Sequence, residues 1–141
     1  TGTLPVGQLA KLCFSGKYEY NEVKKMITGK GGFAAYFGTN DAMEVEKLVD
    51  KGDKKARLIF EAMAYQVSKE IGSMSTVLKG EVDGILLTGG LAHNKWFVEL
   101  IIDRVAHIAP VSIYPGEDEM KALAHNATMV LSGELEVKEY K

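Results

Sequence analysis

The sequence predicts an α/β protein in which several helices pack on a partial sheet of at least two parallel strands. From Val82 to Leu131 the stretches "VDGILLT", "NKWFVELIIDRVAHI", "PVSIYP" and "DEMKALAHNATMVL" alternate between strand-like and helix-like apolar patterns. That order places the two strands parallel and joins them right-handedly. Ahead of it, Ala56, Ile59, Phe60, Met63, Val67, Ile71, Met74 and Leu78 recur at helical spacing between Asp53 and Gly80. This predicts one long helix with a buried stripe. A junction also repeats: each strand runs into glycine and then a helix, at "TGGLAHN" and at "YPGEDEM". Parallel sheets are covered on both faces, and two strands are too few to stand alone. The expected sheet therefore requires partners from a larger α/β protein.

Residues 4–14, "LPVGQLAKLCF", repeat apolar positions at Leu9, Leu12 and Cys13 and predict a short helix closed near Ser15 and Gly16. A second short helix follows, with Asn21 as its expected N-cap, Val23, Met26 and Ile27 on one face, and Gly29 at its end. "GKGGFAAYFGTNDA" sets glycines 29, 31, 32 and 38 around a small apolar centre and reads as an ordered loop. "DAMEVEKLVD" predicts the next helix. In the long helix, Asp53 is the expected N-cap, Gly80 the left-handed C-cap, and the methionines core filler. With no internal repeat or long linker, residues 1–141 form one expected unit. Its parts are a helical and loop segment, 1–52, and the long helix with the β-α-β-α half, 53–141.

A chain of 141 residues that is 46% hydrophobic and 26% charged belongs with soluble globular proteins rather than disordered ones. Its net charge of −2 offers no basic surplus for nucleic acid or an anionic membrane, which leaves a small-molecule or protein partner. No apolar run reaches the roughly 18 residues of a membrane span, and no leader pattern opens the chain. The expected compartment is the cytoplasm. Cys13 has no second cysteine to pair with, and Leu12 and Phe14 beside it predict a buried structural thiol. His93, His107 and His125 lack ligand-spaced partners for zinc.

Open α/β sheets bind ligands beyond the carboxyl ends of their strands, where helix N-termini present free amides. Gly89 and Gly90 occupy such a junction; both are free to take positive φ, and neither carries a Cβ to block a ligand. A tight turn alone explains them equally well. Asn94 is placed to cap the next helix, and His93 has no orienting carboxylate that would make it a general base. At the second junction, Glu117, Asp118 and Glu119 complement a helix dipole or, alternatively, reach magnesium carried by a nucleotide. In "GTNDAMEVEK", Asp41 with Glu44 fits a capping box, and Thr39 and Asn40 are also capable caps. The same polar groups beside Gly38 suit a ribose or phosphate. No Walker-type phosphate loop occurs, and the glycines from Gly29 onward follow no strand.

Taken in order, "TGTLPVGQLAKLCFSGKY", "GKGGFAAYFGTNDA", "GDKKARLIFEAMAYQVSKEIG", "ILLTGGLAHNKWFVELI" and "IAPVSIYPGEDEMKALAHNA" resemble the C-terminal part of the butyrate kinases. These are relatives of acetate kinase in the superfamily that includes sugar kinases and actin. The resemblance implies part of a ribonuclease H-like, actin-like kinase domain. It also implies transfer of the ATP γ-phosphoryl group to a short-chain carboxylate such as butyrate, reversibly and with Mg²⁺. Nucleotide contacts would fall to Gly38, Thr39, Asn40 and Asp41 on one side and to Gly89, Gly90, Leu91, Ala92, His93 and Asn94 on the other. Glu119 is the nearest match to a glutamate near the metal, and a homo-oligomer is the implied assembly.

Two departures stand out. Met43 occupies the place where the family loop carries arginine, and a thioether makes no charge-assisted contact. In relatives the "GTLP" run follows an arginine that helps stabilise the phosphoryl group, whereas this chain starts at Thr1. That arginine, the acid pocket and the first phosphate loop are expected upstream. No catalytic residue is therefore assigned within the 141 residues, and the stretch alone is expected to be inactive. The competing expectation is a noncatalytic nucleotide-binding or interaction module derived from the same family.

Overall fold

The structure is a computed structural model that describes residues 5–116 and 118–137. Glu117, expected in the first turn of the last helix, lies outside the described residues. Four helices lead the chain: α1 (Val6–Cys13), α2 (Tyr20–Thr28), α3 (Phe33–Phe37) and α4 (Ala42–Asp50). The long α5 (Lys54–Val77) follows, then β1 (Ile85–Gly89), a 3-10 turn (Gly90–His93), α6 (Lys95–Val105), β2 (Val111–Pro115) and α7 (Glu119–Leu131). The strands pair in parallel, from Ile85 opposite Val111 to Gly89 opposite Pro115. The expected β-α-β-α order is thus present, with both strands ending at the same edge.

Local chemistry accounts for the element ends. Asp53 accepts the backbone N–H groups of Lys55 and Ala56 at 2.8 and 3.0 Å and starts α5 as expected. At its end Lys79 and Gly80 both take left-handed φ, 56° and 80°, and the Gly80 N–H donates to the Ser75 carbonyl at 2.9 Å. That closure satisfies an otherwise orphaned carbonyl of the last turn. The cap of α2 is Glu19 and not Asn21: the Glu19 and Glu22 side chains each accept the other's backbone N–H. Two N–H groups gain partners where Asn21 would have satisfied one. The 29–38 segment is also more regular than expected, because Phe33 to Phe37 form a short helix ended by Gly38 at φ 75°.

The core lies between α4, α5, α6 and β1. Val45, Ala56, Phe60, Ala64, Ile85, Phe97, Ile101 and Val105 are buried together. Phe60 is fully buried, its ring centroid 5.0 Å from Phe33, 5.9 Å from Trp96 and 5.7 Å from Phe97. A side chain so enclosed contributes about 1.5–3 kcal/mol through lost water contact. The α5 stripe is only partly used: Ala56, Phe60, Ala64 and Ser68 are buried, Met63, Val67 and Ile71 half-buried, and Met74 and Leu78 exposed. The half of the stripe that stays open lines an apolar groove of about 820 Å³ running past Val82 and Ile85.

Helices α1, α2 and α7 bury none of their described residues. Cys13 is exposed, contrary to the expectation from its neighbours, because the apolar face of α1 is covered only in part, with Leu9 and Leu12 half-buried and no residue of the helix fully buried. Its neighbours in space, Leu9, Tyr18, Val23 and Ile27, form only a shallow cleft with it.

Candidate functional site

The carboxyl ends of β1 and β2 meet at two glycines. Gly89 and Gly116 exchange backbone hydrogen bonds, 3.2 Å from the Gly89 N–H to the Gly116 carbonyl and 3.1 Å in return. Gly89 sits at φ 88°, ψ 179°, a conformation essentially restricted to glycine. This bend releases the chain from the sheet into the 3-10 turn. Gly90 differs from the expectation that it shares the positive φ, since it lies outside that region. A Cβ built on Gly90 would meet nothing within 4 Å. The protein's own packing therefore does not need glycine at position 90.

Gly90 faces a cleft of about 540 Å³, within the range of small-molecule sites. Leu91, His93 and Asn94 line one side of it; Asp41, Ala42, Met43 and Glu46 at the start of α4 line the other, with Phe60 between. The fold thus joins two segments separated by some fifty positions along the chain. Its larger neighbour, the groove along α5, lacks such convergence: Gln66 and Glu70 are its main polar side chains among apolar ones.

The expected site residues divide by task. Asp41 caps α4, its carboxylate accepting the Met43 N–H at 2.8 Å. Its own N–H donates to the Thr39 hydroxyl at 3.1 Å, so Thr39 replaces Glu44 as the other half of the expected capping box. Asn94 is buried and caps α6 by accepting the Phe97 N–H at 2.8 Å. His93 is exposed, and its Nε2 would stand 3.2 Å from a Cβ on Gly116, so the imidazole rests against that glycine. Leu91 lines the cleft, whereas Ala92 is buried on the core side. Gly38 and Asn40 are exposed and stand outside the cleft wall, as does Thr39. Glu119, exposed at the first turn of α7, follows β2 at the same edge of the sheet.

Ala42, Glu46 and Phe60 belong to the cleft although no sequence pattern singles them out for it. Glu46 reads as one more solvated helix charge, and Phe60 as one more core position of α5. Only the packing of α4 across α5 brings both to the glycine turn.

A parallel sheet with a cleft at the carboxyl edge of its strands has the architecture of the open α/β class, in which ligands bind at that edge. Residues 9–133 match the acetokinase family, and the chain belongs to that family. It is 56% identical over 140 residues to the probable butyrate kinase 2 of Caldanaerobacter subterraneus subsp. tengcongensis, a match covering 99% of this chain and 40% of that protein. It is 55% identical over 141 residues to butyrate kinase 2 of Clostridium acetobutylicum, again over 40% of that protein's length. The chain therefore spans about 40% of the length of these curated relatives. The crystal structure of Porphyromonas gingivalis acetate kinase matches with a TM-score of 0.75 at 18% identity, over 92% of this chain and 39% of that one. A propionate kinase from Francisella tularensis matches with a TM-score of 0.71 at 20% identity, over 85% and 37%. At those identities the two structures establish the shared fold.

Proposed function

We propose that these 141 residues are the C-terminal, nucleotide-binding portion of a two-domain carboxylate kinase of the butyrate kinase type. In the whole protein, the γ-phosphoryl group of ATP passes reversibly to a short-chain carboxylate such as butyrate, giving an acyl phosphate and ADP. The single observation carrying this reading is the cleft that joins Asp41–Met43 to Gly90–Asn94 across Phe60. Family membership and the identity to two butyrate kinases support the choice of reaction. Such transfer depends on alignment and charge stabilisation more than on covalent chemistry by the protein. The contribution of this stretch is to hold the nucleoside while acid pocket and phosphate loop come from elsewhere in the protein, so alone it binds without turnover.

Magnesium enters this reading with the nucleotide. Among the described residues no three His, Cys, Asp or Glu side chains gather into a metal-binding group. That donor set does not fit a cage built by the protein alone, but it fits Mg²⁺ held largely by phosphate oxygens and water, with Glu119 as the carboxylate the resemblance points to. No helix of the described residues is long and apolar enough to cross a membrane. The reading includes a cytoplasmic enzyme that assembles as a homo-oligomer.

Met43 supports a second reading, a noncatalytic nucleotide-binding module, because a thioether lines the cleft where the resemblance leads one to expect a guanidinium. Calorimetric titration with Mg-ADP tests the shared premise. Binding by the folded chain that is lost in Gly90→Val is the expected result. A folded chain that ignores ADP would remove both readings. Turnover by the longer protein, tested with butyrate and ATP, separates the kinase from the module.

A further inference from the structure

We propose that Glu46 reads the sugar of the bound nucleotide, accepting hydrogen bonds from the ribose 2′- and 3′-hydroxyls and so selecting ribonucleotides over 2′-deoxyribonucleotides. This rests on the nucleotide reading above. Glu46 lies in the cleft wall one turn beyond Asp41 and is half-buried. Its carboxylate makes no hydrogen bond or ion pair among the described residues, where the one salt bridge joins Arg57 to Glu61. Both of its oxygens stay accessible and unengaged, so they are free to accept hydrogen bonds from a ligand in the cleft. Asp41, by contrast, already spends its Oδ1 on the Met43 N–H.

Charge decides which end of a nucleotide enters. Two carboxylates in one wall repel phosphate, while Ala42, Met43 and Leu91 offer apolar surface to a flat base, with the buried Phe60 ring behind them. The nucleoside end therefore occupies the cleft and the phosphates point out of it. An ionised carboxylate accepts and cannot donate. The pairing edge of adenine sets a donor amine beside an acceptor ring nitrogen, so a second carboxylate oxygen would face a lone pair. A ribose diol instead presents two adjacent O–H donors, one for each oxygen. Guanine also presents two adjacent donors, and it supplies the control.

The test is calorimetric titration of the 141-residue chain, and of Glu46→Gln and Glu46→Ala, with ADP, 2′-deoxy-ADP and GDP. The unsubstituted chain should prefer ADP over 2′-deoxy-ADP by about tenfold, the worth of one hydrogen bond to a charged group. Glu46→Ala should erase that preference, and Glu46→Gln, which keeps one acceptor oxygen, should show an intermediate one. Circular dichroism verifies that each variant is folded. The inference is overturned if the preference survives in Glu46→Ala, if it is absent from the unsubstituted chain, or if GDP binds more tightly than ADP. If ADP binds and Gly90→Val abolishes it while Glu46 has no effect on sugar preference, only the role of Glu46 falls. If a folded chain binds no nucleotide, the nucleotide reading falls with it.

Discussion

Replacing Gly89 with valine should destabilise the fold, whereas replacing its neighbour Gly90 should leave stability nearly unchanged. Gly89 holds φ 88° and ψ 179° and closes a pair of hydrogen bonds with Gly116. A side chain forced into that region costs about 1–3 kcal/mol, and β-branching pushes valine toward the upper end. Gly90 has no positive φ, and a Cβ there meets nothing within 4 Å. Its replacement should fall within about 0.5 kcal/mol of neutral, as ordinary surface changes do. Urea unfolding followed by circular dichroism measures both. With a slope of about 1–3 kcal/mol per molar urea, a 2 kcal/mol loss in Gly89→Val moves the midpoint down by roughly 1 M, while Gly90→Val leaves it in place. Binding should separate the two in the other sense, since Gly90→Val fills the cleft of a fold it leaves intact. Equal midpoint shifts, or a larger one for Gly90→Val, would refute the division between a glycine needed by the backbone and a glycine needed by the ligand.

Phe60→Ala removes the ring at the meeting point of Phe33, Trp96 and Phe97 and should cost about 3–5 kcal/mol, read as a lower urea midpoint; a change under 1 kcal/mol would deny Phe60 its central place. Asn94→Ala deletes the cap accepting the Phe97 N–H and should cost about 1 kcal/mol in the same assay, with little loss for the isosteric acceptor in Asn94→Asp. Met43→Arg adds a cation to a wall holding Asp41 and Glu46 and should tighten ADP binding by about tenfold in calorimetry, an effect weakened by salt.

What the sequence revealed follows how far each signal acts along the chain. The 54–77 helix announced itself because its period runs through six turns and Asp53 bounds it, and the glycine junctions marked both strand ends. Short-range competition defeated two expectations. Asn21 is the commoner cap type, but Glu19 and Glu22 satisfy two N–H groups reciprocally, and flanking glycines hid a five-residue helix at Phe33–Phe37. Cys13 failed for a different reason: apolar neighbours indicate that a face wants covering, not that anything covers it. The cleft was half legible. Its two principal walls were visible as glycine and cap motifs, while Glu46 and Phe60 join it only through the crossing of α4 over α5, which no local pattern encodes.

The most direct test of the account is a nuclear magnetic resonance titration of the isotopically labelled 141-residue chain with ADP. Amide signals of Met43, Glu46, Gly90, Leu91 and His93 should move together along one binding curve, because both segments line one cleft. Movement confined to Met63, Val67, Ile71 and Val82 would put the ligand in the apolar groove along α5 and contradict the account.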